Sequence, residues 1–102
     1  MISAEEFDLT IKDNNVVLVD FWAEWCPHCL EMMPHVDAIS SEMSEKVKVV
    51  KVDAGTQADI VNKFSVRSLP TFMIFKNGEL IDQFNGSTTP GELKQKITQA
   101  TE

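Results

Sequence analysis

The sequence predicts an α/β fold, a mixed sheet with helices on both faces. Three observations carry this. An apolar run, Val16 to Trp22, has the length and the β-branched content of a strand buried on both sides. A helical stripe follows it and leads to a second strand pattern at Val47 to Asp53, which implies a parallel pair joined by a right-handed crossover. Two further β patterns then flank Asn77-Gly78, a hairpin signal that adds antiparallel strands.

Each element has a local reason. Ser3-Ala4-Glu5-Glu6 is a capping box, with Phe7 and Ile11 following at helical spacing. Asp13-Asn14-Asn15 makes a turn into the first strand. The long helix runs from about Cys26 to Met43. Cys29, Met32, Val36, Ile39 and Met43 recur at threes and fours as its core-facing stripe. Pro34 lies inside this helix and should kink it, because it lacks a backbone donor. Thr56 with Asp59 is expected to open a short helix through Ile60, Val61 and Phe64. Strands at Thr71 to Lys76 and Glu79 to Asn85 form the hairpin. Thr89-Pro90-Gly91-Glu92 caps a last helix whose apolar side is Leu93, Ile97 and Ala100.

The 102 residues fit a single domain spanning 1–102, without internal repeats or linkers. Net charge is −7, which argues against nucleic acid and anionic membranes as partners. No apolar stretch reaches membrane-spanning length, and no basic, apolar leader precedes the first helix, so a cytoplasmic location is expected. In a reducing compartment a close cysteine pair is more often catalytic or metal-binding than structural.

Cys26-Pro27-His28-Cys29 contains both cysteines of the chain, at the junction of strand and helix. With Pro27 as first helical residue, Cys26 is the N-cap. Its sulfur then faces the free amides of His28 and Cys29 and the positive end of the helix dipole, which favour a thiolate. Cys29 lies one turn in, on the same helix face. Cys26 is therefore the expected nucleophile and Cys29 the resolving thiol of a two-electron redox centre. Pro27 and His28 set how well the thiolate is held, and a protonated His28 would add a cation beside the sulfur. A metal centre is not expected. A closed zinc site needs four ligands, and His28 and His35 lie roughly 180–200° around the helix axis from Cys26.

Three other positions read against this centre. Asp20, inside Val-Val-Leu-Val-Asp-Phe-Trp, is expected to be buried beneath the helix start, with a raised pKa and a role as general base toward Cys29. Lys51 is its candidate partner on the adjacent strand, or else a plain edge lysine. Pro70, before the hairpin strand, can be cis or trans. Its position would expose the backbone of Leu69 to an extended substrate. Trp25 lies in the loop beside the nucleophile, where an exposed contact role is preferred to core packing.

These residues resemble the thioredoxin family. The match runs through Val19-Asp20-Phe21-Trp22-Ala23-Glu24-Trp25-Cys26, then Cys29, Pro34, Lys51, Pro70-Thr71, Phe75-Lys76-Asn77-Gly78 and Gly86, covering nearly the whole chain in order. The resemblance implies a thioredoxin fold with four to five strands and dithiol–disulfide exchange with protein substrates. Further implications are Asp20 as buried acid–base, Lys51 as its neighbour, a cis Pro70, and a substrate surface of Trp25, Leu69, Pro70 and Gly86. No cofactor beyond the Cys26–Cys29 disulfide is implied. The partners expected are protein disulfides and a thioredoxin-reductase-type electron donor, with the protein a monomer. The sequence departs from the family in three ways. Pro27-His28 replaces the usual Gly-Pro and looks like the periplasmic disulfide oxidases. Leu30 replaces a usual basic residue. The first strand is short or missing. A protein-disulfide reductase is the preferred reading. A more oxidising oxidase or isomerase, or a redox-switched binding module, stands as the alternative.

Overall fold

Strand β1 (Val16–Trp22) is the centre of the architecture. Its alternate residues supply two different cores, which is why its run is apolar at every position but Asp20. The computed structural model describes residues 3–86 and 88–102. Besides β1 these form α1 (Ala4–Asp13), α2 (Pro27–Glu42), β2 (Lys48–Asp53), α3 (Ala58–Lys63), β3 (Thr71–Lys76), β4 (Glu79–Asn85) and α4 (Pro90–Ala100). The sheet has the order β2-β1-β3-β4; β1 pairs parallel with β2 and antiparallel with β3, and β3 pairs antiparallel with β4. Four strands are thus present among the described residues. The expectation of a short or missing first strand falls largely on residues 1 and 2, which lie outside them.

Val16 and Leu18 of β1 point with Phe72 and Ile74 of β3 to one face, against Met32, Val36 and Ile39 of α2 and Leu93 and Ile97 of α4. Val17, Val19 and Phe21 point to the other, with Met73 and Phe75 of β3, against Phe7 and Ile11 of α1 and Ile60 of α3. Phe64 closes this second core, its ring 5.5 Å from that of Phe7 and 5.7 Å from that of Phe75. By the same alternation Asp20 falls on the face of Val16 and Leu18, under α2. There it is 1% exposed.

Local signals carry the element ends. The Ser3 hydroxyl accepts from the Glu6 amide at 3.1 Å, and the Thr89 hydroxyl from the Glu92 amide at 3.2 Å, as capping boxes require. Asn77 and Gly78 both take positive φ, 53° and 86°, the backbone of a tight two-residue hairpin turn. Pro34 sits within α2, which continues past it to Glu42. One boundary differs from expectation. Gln57, not Thr56, occupies the N-cap position of α3. The amides of Thr56 and Gln57 both donate to the Asp53 carbonyl, so the chain spends Thr56 on the turn leaving β2 and the helix starts one residue later.

Candidate functional site

The site lies beyond the carboxyl end of β1, where open α/β sheets place their chemistry. After Trp22 the chain turns through Ala23-Glu24-Trp25, closed by a hydrogen bond from the Cys26 amide to the Ala23 carbonyl at 3.1 Å. Cys26 is extended (φ −102°, ψ 101°) and caps α2, with Pro27 in the first turn, where a missing amide costs nothing. The Cys26 Sγ accepts from the Cys29 amide at 3.2 Å. The sequence named the amides of His28 and Cys29 as partners for this sulfur; the structure gives the bond from Cys29. The two cysteines form a disulfide with Cα atoms 5.2 Å apart. Cys26 is 9% exposed and Cys29 1%, so an incoming group meets Cys26 first. Ala23, Trp22, Ala54 and Leu69 pack around the pair.

His28 also has an acidic neighbour on its own helix. Its Nδ1 lies 3.3 Å from the Glu31 carboxylate, one turn along the helix, while its Nε2 is buried without a hydrogen-bond partner. The imidazole is thus shared with an acidic neighbour that the sequence reading did not weigh. Glu31 sits at the i+3 position from His28, a spacing that brings side chains together on a helix.

Pro70 follows a cis peptide bond at Leu69 and is buried. A Cβ on Gly86 would stand 3.2 Å from Pro70 Cδ and 3.4 Å from His28 Cδ2. Residues 28, 70 and 86 therefore meet beside the disulfide, from α2, the start of β3 and the loop after β4. Trp25 is 67% exposed. Its ring rests on Gly55, where a Cβ would come within 2.9 Å of Trp25 Cζ3. The Gly55 amide is held by Asp53 Oδ1 at 2.9 Å. Sequence reasoning missed Gly55. Its signal was a small residue in the turn after a parallel strand, on the same edge of the sheet as Trp25.

Asp20 is buried with both carboxylate oxygens unpartnered. Burial pushes its pKa up from 3.8 to about 7, opposed by the positive charge of Lys51 and reinforced by the negative charge of Asp37. Lys51 stands directly opposite Asp20 in the β1/β2 register, as the sequence reading allowed. Its ammonium nevertheless pairs with the Asp37 carboxylate on α2 and makes no hydrogen bond to Asp20. A long lysine stem reaches the half-wet helix surface, where pairing costs less desolvation than at a buried carboxyl. Asp37 is the third residue the sequence reading missed. Its signal was an acidic residue next to Val36 of the core stripe, at the border of the buried face.

Comparison with known proteins agrees with this geometry. The family model described as Thioredoxin matches residues 1–99. Thioredoxin Y1, chloroplastic, of Arabidopsis thaliana is 40% identical over 90 residues, 88% of this chain and 52% of that protein. Thioredoxin 1 of Nostoc sp. is 37% identical over 97 residues, 94% of this chain and 91% of the relative. The chain spans about half the length of the chloroplastic relatives, 52% and 56% in two cases. Among solved structures, a mutant thioredoxin from Halobacterium salinarum superposes with a TM-score of 0.91 at 30% identity, covering 100% of this chain and 88% of that one. Malassezia sympodialis thioredoxin gives 0.91 at 36% identity, with 100% and 89% covered.

Proposed function

Because this chain belongs to the thioredoxin family, we propose that it is a thiol–disulfide oxidoreductase that reduces protein disulfides. The observation that carries this reading is the Cys26 sulfur at the α2 N-cap, accepting the Cys29 amide, with Cys29 buried behind it. In the reduced protein the Cys26 thiolate attacks one sulfur of a substrate disulfide. The substrate S–S bond breaks, one substrate thiolate leaves, and a mixed disulfide forms. Asp20, as carboxylate, takes the proton of Cys29 directly or through one water. Cys29 then attacks Cys26 Sγ, the mixed disulfide breaks, and the second substrate thiolate leaves. The substrate gains two electrons and the Cys26–Cys29 disulfide closes. Trp25, Leu69, Pro70 and Gly86 form the surface that an extended substrate lies on, pairing with the Leu69 backbone.

A thioredoxin-reductase-type donor restores the dithiol in this proposal, and no cofactor beyond the disulfide is used. A cytoplasmic, monomeric protein belongs to the same reading. No helix among the described residues is long and apolar enough to cross a membrane. The buried, unpartnered Asp20 favours the reductase, since it serves the step in which Cys29 must lose its proton. The Pro27-His28 dipeptide favours a more oxidising centre. Its expected effect is a weaker reductant, not a reversal of direction.

Equilibration of the Cys26–Cys29 pair with glutathione or dithiothreitol buffers tests this. The expected potential lies above the about −270 mV typical of thioredoxin and well below the about −120 mV of strong oxidases. A value near the upper figure makes the protein an oxidase. Binding of a client protein that is unchanged when both cysteines become serine, with no disulfide reduction by the native chain, would make it a binding module instead.

A further inference from the structure

We propose that Asp37 is a positioning residue for the dithiol reaction: by holding the Lys51 ammonium at the surface of α2, it keeps Lys51 from pairing with the buried carboxyl of Asp20. This inference rests on the reading of Asp20 as the proton acceptor of Cys29.

The geometry consists of three observations. Asp20 and Lys51 are direct neighbours across the parallel β1/β2 ladder. The Asp20 oxygens have no hydrogen-bond partner. The Lys51 ammonium, the positive charge that acts on Asp20, is instead bonded to Asp37 from the helix that covers this face. An unpaired buried carboxylate beside a lysine is expected to capture it, because the Coulomb gain rises as water is excluded. The ion pair at the surface competes with that capture. Side chains of Lys51 and Asp37 are 36% and 57% exposed, so their pair is mostly hydrated and its worth lies in where it holds the ammonium.

Other charges on this face do not supply the same restraint. α4 presents Leu93 and Ile97 toward the sheet, while its Lys94 and Lys96 pair with Glu42 and Asp82. The neighbour of Asp20 on β3 is Phe72. Lys51 and Asp37 are therefore the charged groups acting on Asp20, with opposite signs. Asp37 acts twice in one direction. Its own charge disfavours ionisation of Asp20, and its hold on Lys51 withholds the charge that favours it. Removing Asp37 reverses both effects, so Asp20 ionises at lower pH.

The test is the pH dependence of single-turnover resolution of a Cys26 mixed disulfide, measured in the intact chain. The rate should rise with pH through a midpoint set by Asp20. In Asp37→Asn the midpoint is expected about half a unit lower, so that the ionised fraction at pH 6 rises roughly two- to threefold. Asp37→Glu should keep the original midpoint. Asp20→Asn should lack the rise. A rise absent in Asp20→Asn but unmoved in Asp37→Asn overturns the role of Asp37 alone. A rise that persists unchanged in Asp20→Asn overturns the general-base reading, and this inference with it. Asp37 is exposed, so the Asn variant tests charge without disturbing the core.

Discussion

Cys29→Ser is expected to stop the reaction at the mixed disulfide. The Cys26 thiolate still attacks, because its N-cap position and the amide it faces do not depend on the Cys29 side chain. What disappears is the second thiol, held one helical turn away, with Cα atoms 5.2 Å apart. An intramolecular thiol so placed acts at an effective molarity far above any external thiol. Replacing it with millimolar reductant should lower turnover by about a thousandfold or more. The variant should accumulate covalent adducts with protein substrates, visible as reducible higher-mass species by electrophoresis or mass spectrometry. Cys26→Ser should give no adduct. Equal adduct formation by both variants would mean that exposure does not select the nucleophile, contrary to the 9% and 1% exposures of the two residues.

Asp20→Asn is expected to stabilise the fold while slowing the chemistry. Asp20 titrates near 7 when folded and near 3.8 in an open chain. Between these values the folded protein binds more protons than the unfolded one, so stability falls as pH rises through that window. Below about pH 4 both states hold the proton and the penalty vanishes; above about pH 7 it is complete. A shift of this size corresponds to about 4 kcal/mol at pH 8. Asparagine, never charged, should therefore be more stable by about 2–4 kcal/mol at pH 8, and nearly equal to the native protein at pH 4. Denaturant unfolding at the two pH values reads this directly, and equal pH dependence of both proteins would remove the buried ionisation. Mixed-disulfide resolution should slow in the same variant by about a hundredfold, the usual worth of a general base. A group kept at a cost to stability that also speeds the reaction is the pattern expected of an active site.

Much of this arrangement was legible in the chain because local chemistry and global fold agree. The capping signals at Ser3 and Thr89, the Asn77-Gly78 turn and the Met32-Val36-Ile39 stripe each act within a few residues, and each appears where the sequence places it. Cys26 and Pro27 were legible for the same reason, since an N-cap and its following proline are local features. Asp20 stood out as a charge within an apolar strand. What escaped was set by the helix–sheet packing. Asp37 meets Lys51 from fourteen residues away, across the α2/β2 contact. Gly55 meets Trp25 across the gap between two strand ends. Glu31 was within reach of a spacing argument, lying three residues on from His28 along the same helix.

The central claim is that the α2 N-terminus makes a thiolate of Cys26. In Cys29→Ser the sole thiol is Cys26, so thiolate absorbance, or the pH dependence of alkylation, reports its pKa without ambiguity. The account predicts a value clearly below the about 8.5 of free cysteine. A value at or above that figure would contradict it, since the amide and dipole at the helix start would then give the sulfur no help.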